Sequence, residues 1–286
     1  VIIGSGNAAL TVGSLLANSG KKICMLEAHD TAGGYAHTFK MGEFYFCAQV
    51  HYIWGCGPGG KIYEFIKRLG LHKDITFELY DPKGYDHMML PGMKRVAVPY
   101  GFDKLLENIS KEYPHQRKKV KKFLSIIETL YREMGAFPNK PARWYDYLLR
   151  AHKFMNLIKY RNATLKGVFD ECKLSKEVRT ILSGNAGDFM LPPKHLSIFA
   201  YTGLFCGYNT GAYYPTKHFK YYVQRLVEHI QEKGGHLFLE TPVVKINKKN
   251  GRVASVQTKD GKIFRAKKFI CNMDPKTASK MLDVKV

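Results

Sequence analysis

Residues 1–10 read VIIGSGNAAL, and this stretch predicts the fold of the N-terminal part of the chain. The apolar run of residues 1–3 is typical of the end of a buried strand. Gly4, Gly6 and Ala9 then fit the pattern G-x-G-x-x-G/A between a strand and a helix. The first glycine permits a tight turn, the second lets a pyrophosphate approach the backbone, and the small third residue lets the helix pack closely on the sheet.

The residues that follow complete a strand–helix–strand unit. Small and apolar residues recur at helical spacing as far as Ala17, and Gly20 stands where a helix commonly ends. KKICMLE then predicts a second strand that ends at Glu27. Glu27 follows the glycines by about 20 residues, the spacing at which a carboxylate accepts hydrogen bonds from ribose hydroxyls. Such an acid disfavours the 2′-phosphate of NADPH at this site. The alternative is a glycine turn that holds no ligand.

A second pair of glycines, Gly33 and Gly34 in AHDTAGGYAHTF, favours FAD over NAD. A glycine loop beyond the acid lets a second stretch of backbone approach the pyrophosphate, which a long dinucleotide requires. We therefore predict FAD as the cofactor, with NAD(P)H considered only as a reductant. The unpaired N–H groups where the first helix begins, near Asn7, would add a binding position for its phosphates.

The order of predicted elements indicates an α/β fold with a discontinuous Rossmann-like FAD-binding domain. Its first part would be residues 1–75 and its second part residues 216–286, where short strands recur around the hairpin turn signal Asp260-Gly261. Residues 76–215 would form an inserted α+β substrate domain, with a long basic helical region. The uncharged stretch at 196–214 is expected to be buried or to touch a membrane, because its glycines and polar residues make a spanning helix improbable.

The charge balance is strongly basic, with 45 Lys+Arg against 24 Asp+Glu and a formal net charge of +21. Such a field attracts nucleic acid, anionic lipid or anionic cofactors. A basic nucleic-acid-binding protein is therefore an alternative, but no helix-turn-helix, RNP or zinc pattern supports it, and we expect no nucleic-acid partner. The six cysteines have no CxxC spacing, which argues against a zinc site or a disulfide framework and favours a cytoplasmic or peripheral membrane location. The missing initial Met and the abrupt end of the sequence predict a piece of a longer protein.

Six segments along the chain carry a family resemblance. They are, in order, GGYAHTF, FYFCAQVHYIWG, LSGNAGDFMLPP, TGAYYP, LETPVVKI and FICNMDPKTASKML. Together they resemble the phytoene desaturase-type FAD-dependent oxidoreductases, within them the carotenoid isomerase and retinol saturase (all-trans-retinol 13,14-reductase) branch. The resemblance implies flavin hydride transfer at C=C bonds of a hydrophobic polyene isoprenoid, as a saturase, desaturase or isomerase. An amine oxidase-like flavoprotein, which shares the opening, is the alternative.

The resemblance also assigns roles to residues. It places the backbone of Val243 at the adenine and the turn that begins at Asn272 near the cofactor, and it makes His51 and Tyr52 candidates for lining the reaction site. Two departures from the family pattern are expected to affect the flavin site: the bulkier Lys217 and His218 replace a Gly-Gly-Ser type turn close to the flavin, and the sequence ends before the family's C-terminal FAD segment. His218 is a further catalytic candidate. The predicted cofactor-binding residues are Gly4, Gly6, Asn7, Ala8, Ala9, Glu27, Ala28, Gly33, Gly34, Val243 and Asn272; no metal site is predicted.

Two basic segments suggest peripheral contact with a membrane. RKKVKK, residues 117–122, begins an amphipathic helical pattern, and residues 142–161 alternate aromatic and aliphatic side chains with Arg and Lys. Basic residues beside apolar ones suit an interfacial helix on anionic lipid. A solvated basic face and the core of a substrate domain are the alternatives.

Overall fold

The structure is a computed structural model that describes residues 1–92, 94–138 and 151–282. The strands are β1 (Ile2–Ile3), β2 (Cys24–Leu26), β3 (Thr38–Met41), β4 (Phe44–Cys47), β5 (Phe77–Leu79), β6 (Asp86–Leu90), β7 (Lys94–Val98), β8 (Tyr213–Pro215), β9 (His236–Phe238), β10 (Val243–Lys249), β11 (Arg252–Thr258), β12 (Ile263–Arg265) and β13 (Ile270–Cys271). The α-helices are α1 (Asn7–Asn18), α2 (Lys61–Leu69), α3 (Phe102–Glu112), α4 (Arg117–Ala136), α5 (Met155–Lys159), α6 (Leu165–Glu171), α7 (Lys176–Leu182), α8 (Ile198–Asn209), α9 (His218–Glu232) and α10 (Pro275–Met281). Short 3-10 turns occur at Gly34–Ala36, Pro114–Gln116, Ala151–Phe154 and Gly184–Phe189.

The chain divides into two compact units. The first unit comprises Val1–Ile53, Pro58–Glu78 and Tyr214–Val286. The second unit comprises Trp54–Gly57 and Leu79–Tyr213. The first unit is therefore assembled from segments that are far apart in the sequence.

A parallel sheet with the strand order β13-β1-β2-β9 forms the centre of the first unit. Ile2 lies between Ile270 on β13 and Met25 on β2, and Met25 pairs on its other side with Leu237 on β9. Helix α1 connects β1 to β2, as a crossover between parallel strands requires. The predicted α/β class with a parallel sheet is confirmed.

Helix α1 packs closely on this sheet and against α9. Leu10 on α1, Met25 on β2 and Leu226 on α9 are fully buried in one core. Gly13 lies at the closest approach, because a Cβ atom there would be 3.1 Å from Ile230 Cδ1 and 3.4 Å from Met25 Sδ. The small residues that predicted tight packing of α1 thus have a direct steric reason.

An antiparallel meander, β10-β11-β12, packs against the parallel sheet and forms a second apolar cluster with it in the first unit. Val243, Ile246 and Val256 of this meander form a cluster with Ile3 and Leu26 of the parallel sheet. The turn between β11 and β12 contains Asp260 and Gly261, where the sequence predicted a hairpin turn. Gly261 has a φ of +83°, which glycine adopts at low cost.

The second unit is mainly helical, with the hairpin β6–β7 beside its helices. Three fully buried aromatic residues, Phe123 on α4, Phe169 on α6 and Tyr201 on α8, form its centre. The ring centroids of Phe123 and Phe169 are 5.2 Å apart, and the Tyr201 hydroxyl donates a hydrogen bond of 2.6 Å to the carbonyl of Leu182. A buried tyrosine needs such a partner, because an unpaired hydroxyl in a core is costly.

The uncharged stretch at 196–214 forms α8, whose residues are buried on most sides. Within the described part of the chain, no helix combines the length and apolarity that crossing a membrane requires. The basic run at 117–122 begins α4. Residues 142–150 of the segment 142–161 lie outside the described residues; the described remainder contains the short helix α5.

Candidate cofactor site

The turn from β1 into α1 requires glycine at position 4. Gly4 has a φ of +87°, and its N–H donates to the carbonyl of Leu26 at 2.8 Å. The turn after β13 lies directly against it, because the N–H of Asn272 donates to the carbonyl of Ile3 at 2.8 Å. A Cβ atom at Gly4 would stand 2.7 Å from the Asn272 carbonyl oxygen. Any side chain would therefore push the strand ends apart.

The two glycine loops predicted from the sequence lie against each other. The N–H of Gly33 donates to the carbonyl of Ser5 at 3.0 Å. A Cβ atom at Gly34 would be 2.9 Å from the Cα of Gly6, and one at Gly6 would be 2.9 Å from Asn272 Nδ2. Bare backbone thus lines one concave surface, which suits a group that binds N–H donors.

Helix α1 presents an open N-terminus to this surface. Gly6 is the N-cap residue, no side chain caps the helix, and its first turn contains no acidic residue. The first intrahelical bond within this turn runs from the Leu10 N–H to the Gly6 carbonyl at 2.9 Å. The N–H groups before it and the positive end of the helix dipole favour an anion at this position.

Glu27 is buried at the end of β2, with 7% of its surface exposed. Its Oε2 accepts hydrogen bonds from the Ser5 N–H at 2.7 Å and from the Ser5 hydroxyl at 2.6 Å, and its Oε1 accepts one from the His29 N–H at 3.0 Å. Burial raises the pKa of Glu27, but the hydrogen bonds from Ser5 and His29 outweigh it and hold that pKa below its ordinary value. The carboxylate is therefore ionised at neutral pH, and Oε1 retains acceptor capacity for a ribose hydroxyl.

These elements surround a cavity of about 1040 Å³ in the first unit. Ten of the eleven predicted cofactor-binding residues line it: Gly4, Gly6, Asn7, Ala8, Glu27, Ala28, Gly33, Gly34, Val243 and Asn272. The eleventh, Ala9, is 1% exposed and lies in the core beneath the turn. The sequence reasoning missed several residues of the lining, among them Ser5, Thr38 and Phe39. For Ser5, a hydroxyl residue between two glycines and in register with an acid was an available signal.

The three catalytic candidates lie outside this lining. His51 is exposed and Tyr52 is half-buried, in the segment between β4 and α2. His218 begins α9 with a φ of +69°, a left-handed conformation in which glycine carries less strain. It reaches the cavity wall indirectly, because its Nδ1 is 3.4 Å from the hydroxyl of Thr38.

His218 belongs to a small cluster of proton-bearing side chains. Its Nδ1 accepts a hydrogen bond from the Lys220 N–H at 3.2 Å, which leaves the proton of the neutral ring on Nε2. Nε2 is 3.5 Å from Cys47 Sγ, and Cys47 Sγ is 3.2 Å from the hydroxyl of Tyr214. Burial and the nearby charge of Lys220 lower the pKa of His218. Within the described ranges, no group of three His, Cys, Asp or Glu side chains is arranged to hold a metal ion.

Comparison with known families identifies the cofactor. Residues 10–285 match the family described as flavin containing amine oxidoreductase. The chain belongs to this family. As a flavin containing amine oxidoreductase it is a flavoprotein, and the predicted cofactor FAD is confirmed. The site fits that cofactor, since two bare glycine loops and an uncapped helix end suit a diphosphate and the buried Glu27 carboxylate suits a ribose.

Several proteins are similar to this flavin containing amine oxidoreductase. An all-trans-retinol 13,14-reductase from Danio rerio is 26% identical over 86% of the chain and 42% of its own length. A 1-hydroxycarotenoid 3,4-desaturase from Flavobacterium sp. (strain P99-3) is 22% identical over 96% of the chain and 56% of its own length. These matches confirm the resemblance to the phytoene desaturase-type branch. The chain spans about half the length of these relatives.

The solved structure of a redesigned putrescine oxidase shares the fold. It has a TM-score of 0.68 and 15% sequence identity, and the match covers 98% of this chain and 58% of the other. At this identity the likeness concerns the fold alone.

Proposed function

We propose that the chain belongs to an FAD-dependent oxidoreductase that acts on C=C bonds of a polyene isoprenoid, a carotenoid or a retinoid. The reaction would be a saturation, desaturation or isomerisation by hydride transfer. The cavity formed by the two glycine loops and Glu27 carries the cofactor part of this proposal. The substrate part is supported by the relatives, whose names refer to retinol and a carotenoid.

Each element of the cavity would have a separate role in holding FAD. The N–H groups at the start of α1 and around Gly33 and Gly34 would bind the diphosphate. Glu27 would accept from the ribose, and the start of β10 at Val243 would face the adenine. When bound, the flavin would supply the acceptor or donor for the hydride. The chain itself orients the cofactor and excludes water, which is the main contribution a protein makes to such chemistry.

We propose that the second unit binds the hydrophobic substrate, as the predicted domain at 76–215 implied. Its aromatic side chains support this role. Trp54 packs edge-on against Tyr208 with ring centroids 5.0 Å apart, and Tyr85 stacks on Tyr100 at 5.0 Å. Trp54 remains 39% exposed, so part of its indole is accessible to an apolar ligand.

We propose His218 as a residue that handles a proton near the cofactor, with His51 and Tyr52 as weaker candidates. The proton on Nε2 of His218 faces Cys47, and Cys47 in turn contacts Tyr214, so a proton can pass along hydrogen bonds within this cluster. A neutral imidazole suits the role, because it can both donate and accept.

The decisive experiment is purification of the full-length protein with its bound chromophore. We expect a flavin absorption spectrum, release of FAD on denaturation, and a mass that identifies it. Anaerobic incubation with retinol, lycopene isomers and putrescine, with the flavin oxidised and with it reduced by dithionite, would then compare the two substrate classes. Saturation consumes the reduced flavin, whereas desaturation and amine oxidation consume the oxidised one. Turnover of a polyene supports the proposal, whereas turnover of the amine alone contradicts it. A Glu27→Gln variant, which should lose most of the bound flavin, is the matched control for cofactor-dependent turnover.

A further inference from the structure

We propose that the β3–β4 hairpin, residues 38–47, is a docking element for an anionic membrane surface, with Met41 and Phe44 at the inserted tip. This inference rests on the proposed function, because a polyene substrate is stored in a lipid phase and must be taken from it. The observations that carry it are the composition of one hairpin face, the lysines beside the other, and the position of the cofactor cavity.

One face of the hairpin is entirely apolar. Phe39 pairs with Phe46 and Met41 pairs with Phe44 across the two strands, so these four side chains point to the same side. Their exposed fractions are 42% for Phe39, 63% for Met41, 71% for Phe44 and 43% for Phe46. The rings of Phe39 and Phe46 stack with centroids 5.7 Å apart. An exposed apolar patch of this kind marks an interaction surface, because water contact with it is unfavourable.

The opposite face and its neighbour carry positive charge. Lys40 and Tyr45 form a cross-strand pair there, and the ammonium group of Lys220 lies 4.5 Å from the ring centroid of Tyr45. The ammonium group of Lys217 lies 4.6 Å from the ring centroid of Tyr221. The small pocket between these residues has two lysines and no acid in its lining. Lysines beside aromatic rings are typical of protein surfaces that meet the headgroups of a bilayer.

The charge of the whole chain favours an anionic membrane as the occupant of this surface. A net charge of +21 attracts anionic lipid over a distance limited by the Debye length, and each lysine near the surface adds to that attraction. A second copy of the chain, with the same positive charge, would be repelled. The apolar face and the lysines thus complement the two layers of a bilayer, its acyl boundary and its headgroups.

The hairpin also connects to the cofactor cavity. Thr38 and Phe39, at the base of the hairpin, line that cavity, whereas Met41 and Phe44 lie at the tip. A substrate that leaves the bilayer along the apolar face therefore meets residues of the cavity wall. This continuity distinguishes the hairpin from apolar side chains exposed singly elsewhere, such as Val244 and Ile263.

The turn at the tip provides an internal test of insertion. Gly42, with a φ of +60°, and Glu43 form the two-residue connection, so the hairpin's only acid lies between Met41 and Phe44. A carboxylate at the acyl boundary opposes insertion, because a charged group loses water there. Glu43→Gln should strengthen binding to anionic vesicles in either case, because it also removes a charge that anionic lipid repels. If the tip inserts, the strengthening should persist at high salt, where screening removes the electrostatic part; if the tip stays in water, it should disappear there.

The test uses full-length protein with bound FAD and sedimentation with vesicles of phosphatidylcholine, with and without phosphatidylserine, at low and physiological salt. We expect binding to the anionic vesicles only. The double variant Met41→Ser/Phe44→Ser should bind at least about tenfold more weakly, since it removes most of the inserted apolar area. Val244→Ser/Ile263→Ser, which removes two apolar side chains of the meander that are each 48% exposed, should bind like the wild type.

Two further measurements separate this inference from the proposed function. The flavin absorption spectrum should be the same in all variants, so loss of vesicle binding with FAD retained concerns docking alone. Lys217→Gln/Lys220→Gln should weaken binding and reduce its salt dependence. The proposal would be overturned if the wild type failed to bind anionic vesicles, or if Val244→Ser/Ile263→Ser weakened binding as much as Met41→Ser/Phe44→Ser. Dimers in light scattering that depend on the hairpin would also overturn it.

Discussion

The carboxylate of Glu27 accepts two hydrogen bonds from one residue, Ser5, at 2.7 Å from its N–H and 2.6 Å from its hydroxyl. This contact joins the end of β2 to the turn between β1 and α1, and it orders the cofactor site before any ligand is present. A preordered site loses less conformational entropy on binding. Glu27 therefore has a structural role in addition to its proposed contact with ribose.

Replacing Glu27 by Gln should destabilise the protein and weaken cofactor binding. The amide cannot accept at both oxygen positions, so a buried donor of Ser5 or His29 loses its partner, at a cost of about 2 kcal/mol in the free energy of unfolding. We expect FAD affinity to fall by about tenfold or more. Ser5→Ala, which removes one donor and leaves the carboxylate, should cost about 1 kcal/mol. Urea unfolding and FAD titration measure both effects.

The same substitution should change the dependence of stability on pH. Because the pKa of Glu27 is lowered in the folded state, its contribution is present above the ordinary carboxyl pKa and is lost as the pH falls through the lowered value. The free energy of unfolding of the wild type should therefore fall more steeply than that of Glu27→Gln in acid. If the free energy of unfolding of the two proteins fell equally with decreasing pH, this account would be contradicted.

Gly4→Ala should be far more damaging than Gly20→Ala. Both glycines have a left-handed backbone, with φ of +87° and +74°, so both substitutions carry a conformational cost of about 1–2 kcal/mol. Only at Gly4 would the new Cβ meet backbone, 2.7 Å from the Asn272 carbonyl oxygen, whereas nothing lies within 4 Å at Gly20. Denaturant midpoints and retained flavin should separate the two variants. Equal loss of stability and of flavin in the two variants would show that the turn at Gly4 can open without a further cost in stability.

Replacing the buried His229 should stabilise the protein in acid. His229 on α9 is 3% exposed, and its Nε2 has no hydrogen-bond partner among the described residues. Burial and the neighbouring charges of Lys233 and Arg225 lower its pKa, and Glu232 opposes them. The unfolded chain takes up a proton below about pH 6.5, which the folded protein resists, so stability falls there.

His229→Leu should therefore gain stability over the wild type as the pH falls from neutral towards about 5.5. At neutral pH it should gain about 1 kcal/mol, because an unpaired buried polar atom is removed. His229→Gln should share the change in pH dependence without that gain. Thermal unfolding at several pH values measures both, and an unchanged pH profile in both variants would refute the assignment.

Two glycines on α8 should respond in opposite directions to alanine. A Cβ atom at Gly203 meets nothing within 4 Å, so Gly203→Ala should stabilise the helix by about 0.5–1 kcal/mol. At Gly207 the new atom would be 2.8 Å from the indole ring of Trp54, so Gly207→Ala should destabilise by about 1–3 kcal/mol. Differential scanning calorimetry compares them, and a shift of the same sign in both would contradict the packing of Trp54.

The sequence predicted ten of the residues that line the cavity, and most of these ten belong to local patterns. The βαβ unit, the glycines at 4, 6, 33 and 34, and the acid Glu27 are each specified by spacing within a short stretch of chain. The hairpin β6–β7 shows the limit, since DHMML has no clear alternation and its strand was not predicted.

The sequence alone predicted the secondary structure around the turn, the kind of cofactor and the carboxylate that lines the cavity. Only the tertiary structure decided that Ile2 pairs with Ile270, that Asn272 closes against Gly4 and Gly6, and that His218 lies beside Cys47. Those contacts join segments from opposite ends of the chain. Their register depends on how whole faces of strands and helices pack together, and no short-range periodicity encodes that free energy.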